Sequence, residues 1–465
     1  MAEDQHEPVE EFEREPVPDS ALLGIGSFVG QYGGEHIAGT ELMIGPLFLA
    51  SGASAIDLIV GLLLGNVLAV LSWLLLTAPI ATRARLTLYF QLEKICGRKL
   101  VILYNLANGV MFCFLAGAMV TVSATAVGVW FDFKMPGLND LYPNSLGWII
   151  SASAVGLLIA VVAAYGYKFV AQFANVAVPW MVLIFIAFGV IGLRQLGVTS
   201  LAEFWPAAQT IIWKGGAPMP GQVKFTFWHI MFFAWFCNMA VHIGMADLSI
   251  FRYAKKSWYG VATASGMFLG HFMAWLSASI LYAVQLRENA ANIDVLPGPM
   301  AYKACGIAGL VCVIMAGWTT ANPTIYRAGL AFQALVPKAS RFKVTLFTGI
   351  LATIAGLFPA VAMKLLDFVA LYGMILMPMG AVIFLDFWFF KKLGLQSNYA
   401  ETSGTQFNWA AGITWFVTLG VCTWLVLSGG VQIFFVSLPG WFIAAILYVL
   451  LSKIYQRKLS HASMA

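Results

Sequence analysis

The chain has 465 residues, 60% hydrophobic and only 10% charged, with a mean hydropathy of +0.83. A soluble domain carries about 25% charged residues, so this composition excludes a chain whose main solvent is water. The net charge of +5 is informative by position rather than by total.

The first twenty residues, MAEDQHEPVEEFEREPVPDS, hold eight acids against one arginine. A secretory signal starts basic and continues into a short apolar core, so this stretch is not one. It reads as a disordered acidic tail. The six cysteines, Cys96, Cys113, Cys237, Cys305, Cys312 and Cys422, lie scattered in apolar segments without metal-type or paired spacing. They read as small buried hydrophobes.

A membrane-spanning helix needs about 20 apolar residues. That window predicts twelve spans, near 21–48, 55–81, 100–130, 146–166, 169–193, 226–246, 260–285, 304–332, 343–359, 362–388, 409–428 and 432–453. With both termini cytoplasmic, 19 Lys and Arg residues fall inside and 7 outside, which accounts for all 26. Positive charge concentrated on the inside is the expected asymmetry. It also leaves no basic patch that would imply nucleic acid. The domains are then an acidic cytoplasmic tail over 1–19, a transmembrane domain over 20–455 and a cytoplasmic tail over 456–465. The 195–225 connection is long enough to hold a short interfacial helix.

The first span is unusual. It contains Gly24, Gly26, Gly30, Gly33 and Gly34 together with Gln31, Glu35, His36 and Glu41. Polar groups at membrane depth are tolerated where they line a cavity. A helix broken near Gln31 would offer carbonyls to a cation and amides to a solute. Close helix packing through small residues is the competing reading.

In the eighth span, Ala316, Thr319 and Thr320 sit at i, i+3 and i+4 and so share one helix face. Two hydroxyls and a carbonyl are hard oxygen ligands suited to a monovalent cation, although each hydroxyl can instead bond back to its own helix. Pro323 is expected to disturb the helix just beyond them. In the sixth span, His229, Asn238 and His242 lie among Trp228, Phe232, Phe233, Trp235 and Phe236. Aromatic rings with a few polar groups suit a flat heterocycle. The third span adds Asn105 and Asn108 on one face.

These stretches resemble the nucleobase–cation symport family, which includes cytosine permeases and the sodium–hydantoin permease. The resemblance rests on AGTELMIGP, GLLLGNVL, ADLSIFRYAKK, WTTANPTIYRAGL and MPMGAVIFLDFWFFKK, and covers residues 20 to 455. It implies an all-α integral membrane fold of twelve transmembrane helices, with two inverted five-helix repeats, two C-terminal helices, and helices 1 and 6 broken. It implies sodium ligands at the carbonyls of Ser27, Gly30 and Ala316 and the hydroxyls of Thr319 and Thr320. It implies a substrate site drawn from Gln31, Asn108, Phe112, Trp235, Phe236, Asn238 and Asn322. The helix 3 tryptophan on which the family stacks its substrate is absent, with Met111, Phe112 and Phe114 in that region.

The function expected is sodium-coupled symport of a small nitrogenous heterocycle, such as a nucleobase, hydantoin or allantoin, by alternating access in the cell membrane. The alternative is a proton-coupled symporter of a different small solute, with Glu35, His36, Glu41 or His242 as the titrating group. An enzyme is not expected, since no HExxH spacing or nucleophile–base pair occurs. The partners expected are a small solute and the lipid bilayer, not nucleic acid, and the sequence carries no mark of an oligomeric state.

Overall fold

Long apolar runs build an all-helical bundle in the computed structural model, which describes the backbone of residues 11–462 and side chains through Arg457. Among the described residues no strand forms, and the two isolated β-bridges join Leu23 to Ala254 and Ser54 to Lys214. The helices are α1 (Ile25–His36), α2 (Glu41–Ala50), α3 (Ala55–Ala84), α4 (Leu88–Cys96), α5 (Arg98–Phe131), α6 (Leu146–Ala164) and α7 (Tyr167–Gln195). They continue with α8 (Phe227–Phe236), α9 (Met239–His242), α10 (Ser257–Glu288), α11 (Pro297–Leu335), α12 (Arg341–Gly356), α13 (Leu365–Trp388), α14 (Trp409–Leu427) and α15 (Ser437–Ala462). Nine of these described helices are long and apolar enough to cross a membrane. The protein is therefore a multi-pass membrane protein.

Helix starts follow the local sequence. Ser54, Thr87, Ser145 and Asn408 each accept a hydrogen bond from a backbone N–H in the first turn of α3, α4, α6 and α14. Such caps satisfy donors that a helix cannot pair internally. In the 195–225 connection a short helix, Leu201–Ala207, is closed by a Ser200–Glu203 capping box.

Two expectations about backbone breaks are corrected. The glycines of α1 do not break it; the helix is continuous from Ile25 to His36 and stops at Ile37–Thr40. Gly33 and Gly34 instead let α1 lie against α7. A Cβ on Gly34 would stand 2.9 Å from the Ala174 Cβ, and one on Gly33 would stand 3.1 Å from Val178. A Cβ on Gly30 would strike the Asn175 side chain. Small residues here serve close packing. Likewise Pro323 leaves α11 helical, and the one non-helical residue of that helix is Gly306, at φ 56° and ψ −137°.

The sixth expected span is also divided, with α8 ending at Phe236 and α9 starting at Met239. Helix α10 contains a wide π-helical stretch, Ser265–Ala274. There Gly266 and Gly270 bring its backbone against His36, and a Cβ on Gly266 would lie 2.7 Å from both the Tyr32 carbonyl and His36 Nδ1. Helices α5 and α11 pack closely across small residues, since a Cβ on Gly317 would lie 2.8 Å from the Met119 carbonyl.

The N-terminal tail needs a third correction. Residues 11–19 are not free of the bundle: Glu11 and Val17 are 3% and 1% exposed. Glu11 accepts from the Tyr167 N–H (2.9 Å), the Tyr253 hydroxyl (2.6 Å) and the Tyr326 hydroxyl (2.7 Å), with Arg252 at 3.6 Å. A buried carboxylate with these donors pins the tail to the start of α7, to the segment just before α10 and to α11. Residues 1–10 lie outside the described residues. At the other terminus α15 runs to Ala462, past the expected domain end at 455.

Candidate functional site

Where α1 ends and α2 begins, and where α8 gives way to α9, the chain encloses a central cavity of about 100 Å³. Its walls include Thr40 and Glu41 from the first break, Phe236 and Asn238 from the second, Phe112 from α5 and Thr320 from α11. Ile44, Leu365 and Leu366 also line a second cavity of about 410 Å³, whose walls include Met219 and Asp367. Ile44, Leu365 and Leu366 are thus shared by the walls of both spaces.

The α1–α11 contact brings four neutral oxygens together. The Thr320 hydroxyl lies 2.9 Å from the Glu35 carbonyl and 2.9 Å from the Ala316 carbonyl. The Thr319 hydroxyl lies 3.2 Å from the same Ala316 carbonyl. Each hydroxyl has one proton to donate, so the Thr320 proton serves only one of its two carbonyls. Oxygen-only donor sets suit hard cations rather than transition metals. Among the described residues no group of three or more His, Cys, Asp or Glu is placed to hold a metal ion.

Beside this cluster stands a buried charge network. Arg327, 1% exposed, forks onto Glu35 with Nη1–Oε1 at 2.6 Å and Nη2–Oε2 at 3.1 Å. Its Nη2 also reaches Asp247 Oδ1 at 2.6 Å. Asp247 Oδ2 accepts from the Tyr32 hydroxyl (2.7 Å) and Trp73 Nε1 (2.6 Å). The Arg327 carbonyl accepts from the Tyr89 hydroxyl at 2.9 Å, and Tyr89 accepts from Asn108 at 3.1 Å. One guanidinium thus ties α11 to α1, to the turn after α9 and, through Asp247, to α3. Removing one member of a buried ion pair typically costs about 3–5 kcal/mol, because its partner is left charged and unpaired.

The expected site residues divide into two groups. Phe112, Phe236, Asn238 and Thr320 line the cavity, while Ala316 and Thr319 join Thr320 in the oxygen cluster. Gln31 sits in continuous helix before the break, where its Nε2 donates to Glu35 at 3.4 Å and its Oε1 has no partner. Ser27 and Gly30 lie earlier still; the α1 carbonyl that reaches Thr320 belongs to Glu35. Trp235 faces away from the cavity and donates to the Ser72 hydroxyl at 2.9 Å. Asn322 points towards α6, its amide set to donate to the Ile159 carbonyl and accept from Trp318, both at 3.1 Å. Asn108 supports Tyr89 rather than the cavity wall.

Arg327 and Asp247 were missed as site residues. Arg327 is one of the 19 basic residues that the charge asymmetry assigns to the inside, yet it is buried within α11. The available signal was an arginine two helical turns beyond Thr320, since an ionisable group at membrane depth requires a partner.

No protein-family model and no curated protein matches the sequence. Solved structures do. Mhp1, a nucleobase-cation-symport-1 family transporter in a closed conformation with bromovinylhydantoin bound, is similar at TM-score 0.73 and 16% identity over 97% of each chain. A Na+-coupled sialic acid symporter in a substrate-bound outward-open state gives TM-score 0.69 and 11% identity, covering 97% of this chain and 93% of that one. Inward-facing Mhp1 gives 0.68 and 15%, covering 95% and 93%. The chain has the LeuT-like fold of these transporters.

Proposed function

We propose that this chain is a sodium-coupled symporter of a small nitrogenous solute, working by alternating access, and a member of the nucleobase–cation symport family. The observation that carries the proposal is the oxygen cluster of Glu35, Ala316, Thr319 and Thr320 beside the central cavity. Sodium there replaces a hydrogen bond that a single Thr320 proton can make to only one carbonyl. It draws the end of α1 towards α11 and so shapes the cavity wall that α1 and α2 supply. By linkage, a solute that favours the same closed arrangement raises sodium affinity by the factor by which sodium raises its own.

The fold likeness supports twelve spans in two inverted five-helix repeats plus α14 and α15, with α1/α2 and α8/α9 each forming one broken span. The distribution of basic residues supports cytoplasmic termini in the cell membrane. In this reading the Ile44–Leu365–Leu366 layer is the thin barrier to the outside, and the Arg327 and Glu11 networks close the inside. The bromovinylhydantoin bound by Mhp1 and the polar groups of the cavity support a hydantoin-, nucleobase- or allantoin-like solute.

Proton coupling is the second reading, favoured by one observation: Glu35 and Asp247 share a single guanidinium, leaving a surplus negative charge. Uptake into proteoliposomes tests both drivers. A sodium gradient at equal pH drives concentrative uptake under the first reading, and only a pH gradient does so under the second.

A further inference from the structure

We infer that Glu41 is the residue that reads the solute, and that the solute presents neighbouring N–H groups to it. The inference rests on the transport reading above and deepens it by assigning the chemistry of the cavity.

Glu41 is the first residue of α2, is 3% exposed, and lines the central cavity. Its Oε2 accepts from Trp275 Nε1, and among the described residues no donor meets its other oxygen. Among the described residues no Lys, Arg or His side chain pairs with it, whereas Glu35 has the Arg327 fork. A buried acid without a cation is costly unless donors satisfy it.

The acid is also held in place. Trp275 is fully buried and its ring stacks on His271, with centroids 4.2 Å apart and planes 11° apart. His271 Nε2 lies 3.3 Å from Asn238 Nδ2. With the Asn238 amide nitrogen given to that ring, its carbonyl oxygen remains for the cavity. The wall made by Glu41 and Asn238 therefore offers two acceptor oxygens, beside the one amide N–H that Asn238 keeps. A cyclic urea, amide or amidine edge supplies adjacent N–H groups to such a wall, while a carboxylate solute would repel it.

The test uses the purified full chain, with thermal shift and calorimetry in the presence and absence of sodium. The probes are hydantoin and uracil, their N,N′-dimethyl forms, guanidinium and acetate. Wild type is expected to bind at least one N–H-bearing probe, with dimethylation weakening binding tenfold to a hundredfold. Glu41→Gln, which keeps an acceptor for Trp275, is expected to weaken the same probe by a similar factor. Preference for hydantoin or uracil identifies a neutral N–H edge, and preference for guanidinium a cationic one.

Equal binding of the dimethyl forms, undiminished binding by Glu41→Gln, acetate as the sole ligand, or no N–H-bearing probe bound would each overturn the assignment. The methylation series stands on wild type alone, so a poorly folding variant does not spoil the test. Sodium-stimulated uptake that survives Glu41→Gln with unchanged affinity sinks this assignment and spares the symport reading. N–H-dependent binding without sodium- or proton-driven uptake does the reverse.

Discussion

The Thr320 hydroxyl stands 2.9 Å from the Glu35 carbonyl, at the point where the first helix stops. Two chain segments 285 residues apart meet there through neutral oxygens, and the end of α1 is thereby tied to α11.

Thr320→Ala removes one oxygen of the cluster and leaves Ala316 and Thr319 in place. Half-maximal sodium concentration for uptake should rise at least tenfold, whereas Thr320→Ser should stay near wild type. Uptake against sodium concentration in proteoliposomes reads this, and an unchanged sodium curve would remove the site.

Arg327→Met leaves Glu35 and Asp247 buried without their cation. Stability should fall by about 3–5 kcal/mol, as for breaking one side of a buried ion pair, seen as a lower melting temperature in detergent. The triple variant Glu35→Gln, Asp247→Asn, Arg327→Met removes all three charges and should recover part of the loss. Equal stability of wild type and the single variant would show that the network does not hold the bundle together.

Glu11→Ala deprives Tyr253, Tyr326 and the Tyr167 N–H of their common acceptor. Amide hydrogen exchange over residues 11–19 should quicken by at least tenfold, while α5 and α11 remain protected. Unchanged protection would mean that the tail is held by other contacts.

Gln31→Ala tests a residue that the family resemblance places in the substrate site and the geometry places in continuous α1. Solute affinity should change less than threefold in binding assays. A loss of tenfold or more would return Gln31 to the cavity wall.

Much of the fold was legible because apolar runs of membrane length leave little choice of secondary structure. The position of the first break was not. Gly30, Gly33 and Gly34 look like helix breakers in a linear chain, but their missing side chains admit Asn175, Val178 and Thr319, which only the assembled bundle reveals. The Thr319–Thr320 pair was legible because i, i+3 and i+4 spacing is local. Arg327 was not, because its partners Glu35 and Asp247 come from two other segments, 292 and 80 residues away. Trp235 and Asn322 were misjudged for a related reason: residue type gives chemistry, and helix rotation decides whether that chemistry meets the cavity or a neighbouring helix.

The most direct measurement is the melting temperature of the purified protein in sodium chloride against choline chloride at one pH, for wild type and Thr320→Ala. A ligand that binds only the folded state raises it by mass action. Sodium at the Glu35–Ala316–Thr319–Thr320 oxygens predicts a rise in wild type that is lost in the variant. No rise in wild type, or an equal rise in both, would contradict it.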